Sequence, residues 1–138
     1  MKYLLDTNII SEIVRPQPNK NIQKWLDDVP SESLFISVLT LGEIRRGIEM
    51  LKDSKRKNHL ILWLEQELPK WFGEKVLPID QEVAERWGYM TSTMKRHPQL
   101  TAIDSLLAAT ALTHNLKMVT RNIKDFDVPG LEVLNPFE

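Results

Sequence analysis

The sequence predicts an α/β protein, a three-layer α/β/α sandwich around a central parallel sheet of four to five strands. Short apolar runs of strand length alternate with longer segments in which apolar residues recur at helical spacing. Helical crossovers between such strands are right-handed, so they place the strands parallel and cover both faces of the sheet. No internal repeat or change of composition divides the chain, so we expect a single domain, residues 1–138.

Strand and helix signals follow one another through the first half of the chain. A capping sequence at residues 6–8 comes directly after the first apolar run, and Pro16 ends the helix that begins there. Thr40 is expected to cap a later helix that runs through Ile48. Apolar spacings of three and four predict the remaining helices. The predicted strands are residues 2–5 and 34–38, and these remaining helices are residues 19–28 and 54–71.

The second half of the chain predicts the rest of the sheet. Three short apolar runs are typical of strands, at residues 75–79, 118–120 and 131–134. Residues 81–96 have the pattern of an amphipathic helix. The predicted helix at residues 103–114 is apolar on most of its faces, so we expect it to be central in the fold.

Composition excludes several classes of protein. Lys and Arg number 18 and Asp and Glu 19, so a net charge of -1 offers no global attraction to nucleic acid, and any such binding must use local patches. The absence of cysteine excludes disulfides, thiolate catalysis and cysteine-based zinc sites. No apolar stretch reaches the length that spans a membrane, and the N-terminal run meets a charge too soon for a signal peptide. We therefore expect a cytoplasmic protein that has no membrane partner.

Four carboxylates stand where an apolar run gives way to helix or turn: Asp6, Glu43, Asp104 and Asp125. Taken singly, each is explained by capping or by a turn, and both Glu43 and Asp104 match the Thr-x-x-acid capping pattern. Three of the four follow predicted strands, however, and the carboxyl ends of parallel strands line a common crevice. We therefore expect the four carboxylates to converge.

Converging carboxylates predict a metal site. Carboxylates that lie close together raise one another's pKa unless a cation neutralises them. The predicted donor set contains only oxygen, and the three histidines, His59, His97 and His114, are remote from the acids along the sequence or too far along a helix. Such a set favours Mg²⁺, with Mn²⁺ as a possible substitute, and leaves some of the acids to act through water.

Four segments of the chain together resemble a known family. They are LLDTNIISE at the N-terminus, the Glu43 that opens a helix, TAIDSLLAATAL and TRNIKDF. In this order they are similar to the PIN domain, and most closely to the VapC/FitB-type toxins of bacterial toxin–antitoxin pairs. The resemblance spans nearly the whole chain, and the ending LNPFE is similar to the FitB-like branch.

The resemblance implies an activity and a set of partners. It implies an endoribonuclease that uses Mg²⁺ or Mn²⁺ to hydrolyse RNA by attack of water, which leaves a 5′-phosphate and a 3′-hydroxyl. A cognate antitoxin protein inhibits it, a homodimer is expected, and DNA is bound only through the antitoxin.

The resemblance also assigns roles to residues. Asp6 and Asp104 match direct metal ligands, whereas Glu43 and Asp125 match acids that act through water, with Asp127 as a second candidate for the fourth acid. Polar residues that resemble the family's supporting shell, and for which ordinary capping is an equally good reading, are Thr7, Asn8, Thr120 and Asn122.

Substrate binding rests on three arginines. Arg45 and Arg46 follow Glu43 on the same predicted helix, and Arg121 lies close to Asp125. Cations around an acidic pocket are suited to hold the flanking phosphates of RNA. The basic run at residues 52–57 is expected to be a solvated helix face instead.

Two other functions fit part of the sequence. A response-regulator receiver domain has similar length and fold, but it requires adjacent acids after the first strand and a Lys near the last, where this chain has Thr7-Asn8 and Thr120-Arg121. The stronger alternative is a non-catalytic PIN-like module that binds its antitoxin and, through it, promoter DNA.

Overall fold

A five-stranded parallel sheet forms the centre of the computed structural model, which describes residues 1–94 and 100–138. Its strands run in the order β3-β2-β1-β4-β5. They are β1 Tyr3–Leu5, β2 Leu34–Ser37, β3 Val76–Leu77, β4 Lys117–Val119 and β5 Val133–Leu134. The predicted α/β class and parallel sheet are confirmed, with the higher of the two predicted strand numbers.

Helices cover both faces of this sheet. Helix α4 continues through one wide π-helical turn, Trp63–Glu67, into α5. The helices of the described residues are α1 Thr7–Ile13, α2 Lys20–Asp28, α3 Val38–Glu49, α4 Lys55–Leu62, α5 Leu68–Phe72, α6 Gln81–Thr93 and α7 Ala102–Thr113. None of them is long and apolar enough to cross a membrane.

The alternation of side chains along a strand divides the core into two layers. Leu4 and Leu5 are adjacent and fully buried, yet they belong to different apolar clusters because successive strand residues point to opposite faces. Leu5 packs in the cluster formed with α1 to α5, and Leu4 packs in the cluster formed with α6 and α7. Burial on both faces explains why these strands are continuous apolar runs.

The strand order places a crevice at the centre of the sheet. From β1 the chain moves outward through β2 and β3, and then returns to the other side of β1 as β4 and β5. Neighbouring strands that lead in opposite directions leave a gap outside their carboxyl ends, where α/β proteins bind ligands. Asp6 follows β1 and Thr120 follows β4, so both stand at this switch point.

Two predicted helix starts have different outcomes. Thr101 caps α7 as expected, since its hydroxyl accepts a hydrogen bond from the Asp104 amide at 3.1 Å. The prediction that Thr40 caps α3 is wrong: the cap is Ser37, whose Oγ accepts from the Leu39 amide at 3.0 Å. Strand β2 ends at Ser37, which has the extended backbone that a cap requires, so Thr40 falls inside the helix.

Other element boundaries differ from the predictions by a few residues. Four of the strands are shorter than predicted, by one to three residues, whereas β4 has the predicted length and begins one residue earlier. Residues 54–71, expected as one helix, contain the π turn between α4 and α5. Helix α6 ends at Thr93, and the predicted continuation to residue 96 runs into residues 95–99, outside the described residues.

Substitutions of Ser37 and Thr40 test which of the two residues caps α3. Thr40 is fully buried, and its Oγ1 has no hydrogen-bond partner among the described residues, so it contributes an uncompensated desolvation cost. We expect Thr40→Val to leave the free energy of unfolding unchanged or to raise it. Ser37→Ala should lower it by about 1 kcal/mol, because a helix cap is lost. Urea denaturation of both variants measures the difference, and a loss at Thr40→Val equal to that at Ser37→Ala would contradict the assignment.

Candidate active site

The four predicted acids line one cavity of about 540 Å³ at the carboxyl ends of the central strands. Asp6 comes from the junction of β1 and α1, and Glu43 from the second turn of α3. Asp104 lies in the first turn of α7, and Asp125 in the short helical turn after β4. Four separate elements therefore deliver one carboxylate each to the same space.

Asp6 is the most strongly held of these acids. It is 7% exposed, and its Oδ1 accepts from the Thr7 amide at 2.8 Å as the cap of α1. Its Oδ2 accepts from the Thr120 hydroxyl at 2.8 Å and from the Asn8 side-chain amide at 3.3 Å. Burial raises the pKa of Asp6, these hydrogen bonds offset part of the rise, and nearby Glu43 and Asp125 add to it.

Glu43 is oriented by the residue next to Asp6. The Thr7 hydroxyl donates to Glu43 Oε1 at 2.6 Å, across 36 residues of sequence. This bond links the first turn of α1 to α3 and leaves Oε2 of the glutamate for another donor.

The pKa of Asp104 shows most clearly how the acids of the cavity affect one another. Partial burial raises the pKa of its carboxyl to about 6, and the negative charges of Asp6, Asp125 and Glu43 add to the effect. The hydrogen bond from Thr101 acts in the opposite direction. The acids are thus close enough to oppose one another's ionisation.

A polar network behind the acids fixes their positions. The Thr120 hydroxyl, fully buried, accepts from the Asn122 amide at 3.0 Å while it donates to Asp6. The Asn8 side-chain amide also reaches Thr120 Oγ1, at 3.3 Å, and Asn8 Oδ1 accepts from the Arg121 amide at 3.2 Å. Thr7, Asn8 and Thr120 therefore contact the acids or each other through side chains, whereas Asn122 contributes its backbone.

The donor set fits a divalent cation by charge and by chemistry. No ion pair formed within residues 1–94 and 100–138 involves any of the four acids, so none of these residues compensates their charge directly. All their donor atoms are oxygen, which hard divalent ions prefer. In the same residues no three acidic or histidine side chains lie close enough, as they stand, to hold one ion. Direct coordination by two carboxylates, with the others acting through water, is the arrangement that agrees with both facts.

One acid of the cavity was missed by the sequence analysis. Glu12 lies on α1, is 5% exposed and lines the same cavity. Its Oε1 accepts from Arg15 and from Arg121, each at 3.3 Å, and its Oε2 accepts from the Asn19 amide at 2.9 Å. Burial by itself raises the pKa of Glu12, but these hydrogen bonds and the arginine charges outweigh it and lower the pKa. Its spacing of four from Asn8, which puts both residues on one helix face, was the available signal.

The predicted arginines are separated by the fold. Arg121 lines the cavity, but Arg45 pairs with Glu49 and Glu65 on the surface of the α3–α4 hairpin and does not reach it. Arg46 lines a neighbouring hollow between α3 and the start of α7, which shares Glu43 with the cavity. Helical rotation explains the difference, since consecutive residues of a helix point about 100° apart.

Structure also distinguishes the two acids of the loop after β4. Asp125 lines the acidic cavity, and Asp127 lines a different hollow with Lys124. Of the two candidates for the fourth acid, Asp125 is therefore the one that shares a cavity with the other three acids. Neither His59 nor His114 lines the cavity, and His97 lies outside the described residues.

Comparison with known proteins identifies the family. A model of the PIN domain matches residues 3–130. Toxin FitB of Neisseria gonorrhoeae is 39% identical over 97% of this chain and 97% of its own length.

The chain belongs to the PIN-domain family. The resemblance to VapC/FitB-type toxins is thereby confirmed. A second relative, the VapC ribonuclease Y4jK of Sinorhizobium fredii, is 30% identical over 98% of this chain and 97% of its own length. PIN ribonucleases generally need a divalent metal ion.

Solved structures of this PIN-domain branch share the fold closely. The crystal structure of FitAcB from Neisseria gonorrhoeae has a TM-score of 0.90, at 39% identity and 99% coverage of both chains. The structure of FitAB bound to an IR36 DNA fragment has a TM-score of 0.86, at 36% identity, and covers 99% of this chain and 96% of that one.

Repulsion in the cavity predicts an unusual pH dependence of stability without metal. Between pH 3.8 and about 6 the folded protein keeps a proton on Asp104 that the unfolded chain has released, so stability falls as pH rises through this window. Because the carboxyl is partly exposed, we expect Asp104→Asn to raise the free energy of unfolding at pH 7 by about 1–2 kcal/mol. Urea denaturation in EDTA at pH 4 and pH 7 measures the effect.

The matched control for this measurement is Asp127→Asn, which makes the same chemical change in the loop after β4, outside the acidic cavity. We expect its stability to follow the wild-type pH dependence. An unchanged slope in Asp104→Asn would show that the four acids do not repel one another as the geometry indicates.

Proposed function

We propose that this PIN-domain protein is the endoribonuclease toxin of a type II toxin–antitoxin pair. It hydrolyses phosphodiester bonds in single-stranded RNA, with Mg²⁺ as its metal and Mn²⁺ as a substitute. The proposal depends on one observation above others: four carboxylates without paired cations among the described residues line a single cavity at the switch point of the sheet.

Asp6 and Asp104 are assigned as the direct metal ligands. Burial and, to a smaller extent, the neighbouring acids raise the pKa of both, so a cation beside them stabilises the charged form of each carboxylate. When bound, Mg²⁺ lowers the pKa of nearby water and offsets the negative charge that develops on the phosphate oxygens. Mg²⁺ usually takes only one or two direct carboxylates, so Glu43 and Asp125 act through water.

Glu43 is assigned to the attacking water. Its Oε1 is occupied by the Thr7 hydroxyl at 2.6 Å, which holds the carboxylate in one orientation. Its Oε2 is then the atom that accepts a proton from the water as the water attacks phosphorus. Because water rather than the ribose 2′-hydroxyl attacks, the products carry a 5′-phosphate and a 3′-hydroxyl.

The expected partners follow from the same family assignment. They are a cognate antitoxin that covers the acidic cavity, a second copy of this chain, and promoter DNA that is reached only through the antitoxin. The DNA-bound FitAB structure supports the last of these, at 36% identity to this chain. The cytoplasmic location expected from the sequence belongs to the same proposal, because it is where such an enzyme meets RNA.

A non-catalytic PIN-like module is the alternative. It would use the same fold to bind the antitoxin and would need no acids in the cavity. The presence of four acids in one cavity, without an ion pair among the described residues, favours catalysis, because their burial and repulsion cost stability and a binding scaffold would not need them.

Cleavage of RNA by the purified chain, separated from any antitoxin, tests the activity. With Mg²⁺ we expect a single-stranded RNA to be cut to products with 5′-phosphate ends, and EDTA should stop the reaction. Asp6→Asn and Asp104→Asn should each lower kcat by about 100-fold or more, since a direct ligand is lost. Labelled RNA resolved on gels, with end-group analysis, measures both results.

Asp127→Asn is the control for these variants, because it makes the same chemical change outside the cavity. We expect it to retain the wild-type kcat. Cleavage that survives EDTA, cyclic phosphate ends, or full activity in Asp6→Asn would contradict the mechanism, and a stable protein without any cleavage would favour the binding module.

Co-purification tests the toxin assignment separately. When the chain is expressed from its own operon under mild conditions, we expect a small protein to purify with it and to suppress RNA cleavage. When the partner is removed under denaturing conditions and this chain is refolded alone, RNA cleavage should return. A chain that is fully active and purifies alone would be a PIN-domain ribonuclease without an antitoxin.

A further inference from the structure

Glu12 differs from the other acids of the cavity in having cations of its own. Two arginines pair with it, whereas the four proposed metal-site acids have no ion pair within the described residues. Its carboxylate is therefore neutralised already, and a metal ion has little to gain there. The cavity is thus divided into an acidic side and a side where two arginines surround one buried carboxylate.

The arginines lie next to each other because they share one atom. Arg15 Nη1 and Arg121 Nη2 each donate to Glu12 Oε1 at 3.3 Å, so the two guanidinium groups are neighbours. Both side chains remain largely open, 62% and 49% exposed, and both line the cavity. A guanidinium has five N–H donors. Among the described residues, each of the two guanidinium groups donates to one side chain only, that of Glu12.

Contacts on the far side hold Arg121 in place. Its guanidinium lies 3.8 Å from the centre of the Phe137 ring, and its carbonyl accepts from the Asn135 side chain at 3.3 Å. Phe137 is tied to α2, since its carbonyl accepts from the Asn21 side chain at 2.8 Å. An exposed arginine that stacks on a ring and pairs with a buried acid is oriented before any ligand arrives.

Charge and donors indicate what this cluster binds. Two guanidinium groups and one carboxylate leave a net charge of one positive unit, which matches one phosphodiester. Planar N–H donors suit phosphate oxygens. The cluster is also tied to the acids, because the Arg121 amide donates to Asn8 and Asn8 donates to Asp6.

We propose that Arg15 and Arg121, held together by Glu12, bind an RNA phosphate that flanks the one being cut. Glu12, Arg15 and Arg121 form an arginine clamp, in which Glu12 is the positioning residue. The inference deepens the proposed ribonuclease function and rests on it. Asn8 and Thr120 set the distance between the clamp and Asp6, and so they set which phosphate reaches the acids when its neighbour is held.

Binding and kinetics of clamp variants test this assignment. The probe is a fluorescent single-stranded RNA of about ten nucleotides. Its Kd is measured with clamp variants that also carry Asp104→Asn, so that the RNA is cut slowly. Its KM and kcat are measured with clamp variants in which all four acids are intact. Arg15→Ala and Arg121→Ala should each raise Kd and KM about 10-fold, with kcat changed by less than about twofold. The slope of log Kd against log salt should fall by about 0.7 for each arginine removed.

Glu12 variants separate a positioning role from a simple charge. If the carboxylate only repelled RNA, Glu12→Ala would tighten binding. We expect the opposite, a Kd raised about as much as in Arg121→Ala, because the guanidinium groups lose their common anchor. Glu12→Gln, which keeps an acceptor oxygen, should recover part of the loss. Circular dichroism checks folding, and the arginine variants test the clamp even where a Glu12 variant unfolds.

Neutral linkages in the RNA identify the phosphate. A methylphosphonate placed at one flanking linkage should raise the Kd of the unmodified clamp about 10-fold, and it should cost almost nothing in Arg121→Ala. The control is Arg86→Ala, which removes an equal charge from the exposed face of α6 and should leave Kd, KM and the salt slope unchanged.

The outcomes distinguish the clamp from the activity itself. RNA cleavage by the wild type, together with clamp variants that behave like Arg86→Ala, overturns the clamp and leaves the ribonuclease assignment intact. Additive losses from the methylphosphonate and from Arg121→Ala also overturn it, because the two changes would then act at different sites. A wild type that neither binds nor cuts RNA overturns both proposals.

Discussion

The crowding of four carboxylates into one cavity governs the arrangement of the polar side chains in this structure. The parallel sheet brings the ends of its central strands together, and four elements around this gap each carry one acid into it. Burial and mutual repulsion raise the pKa of both Asp6 and Asp104. A divalent cation bound in the cavity would offset this cost, and this is the physical basis of the proposed metal site.

The remaining polar contacts keep this strained arrangement in register. Asp6 caps α1, receives the Thr120 hydroxyl from the neighbouring strand and shares Asn8 with the backbone of Arg121. Thr7, one residue on, holds Glu43 of α3. The first turn of α1 is therefore joined to α3 and to the end of β4, which are distant from it in sequence. The carboxylate of Asp6 both caps α1 and takes part in the acidic cavity. A buried network of this kind costs little only when each member has a partner.

The two sides of the cavity have complementary charge. Four of the lining acids have no ion pair among the described residues, and the same cavity carries two arginines whose charge exceeds that of the Glu12 carboxylate between them. A nearly neutral protein thus creates a local field that its net charge of -1 does not reveal. Substrate that carries one charge per linkage can meet both sides at once, with a cation between it and the acids.

The class of fold and the four candidate acids can be derived from the sequence alone. Apolar runs buried on both faces predict a parallel sheet. Asp6, Glu43 and Asp125 stand out because they follow such runs, and Asp104 stands out through its capping pattern and the family resemblance. These features are local in sequence, since period and capping chemistry act over a few residues.

Which side chains meet in space depends on the tertiary structure. It placed the cap of α3 at Ser37 rather than Thr40, chose Asp125 over Asp127 as cavity lining, and turned Arg45 away toward Glu65. It also joined Glu12 to Arg121 across 109 residues. The reason is physical: a helix rotates about 100° per residue, and the packing of the sheet, which depends on contacts distant in sequence, sets the direction in which each face points.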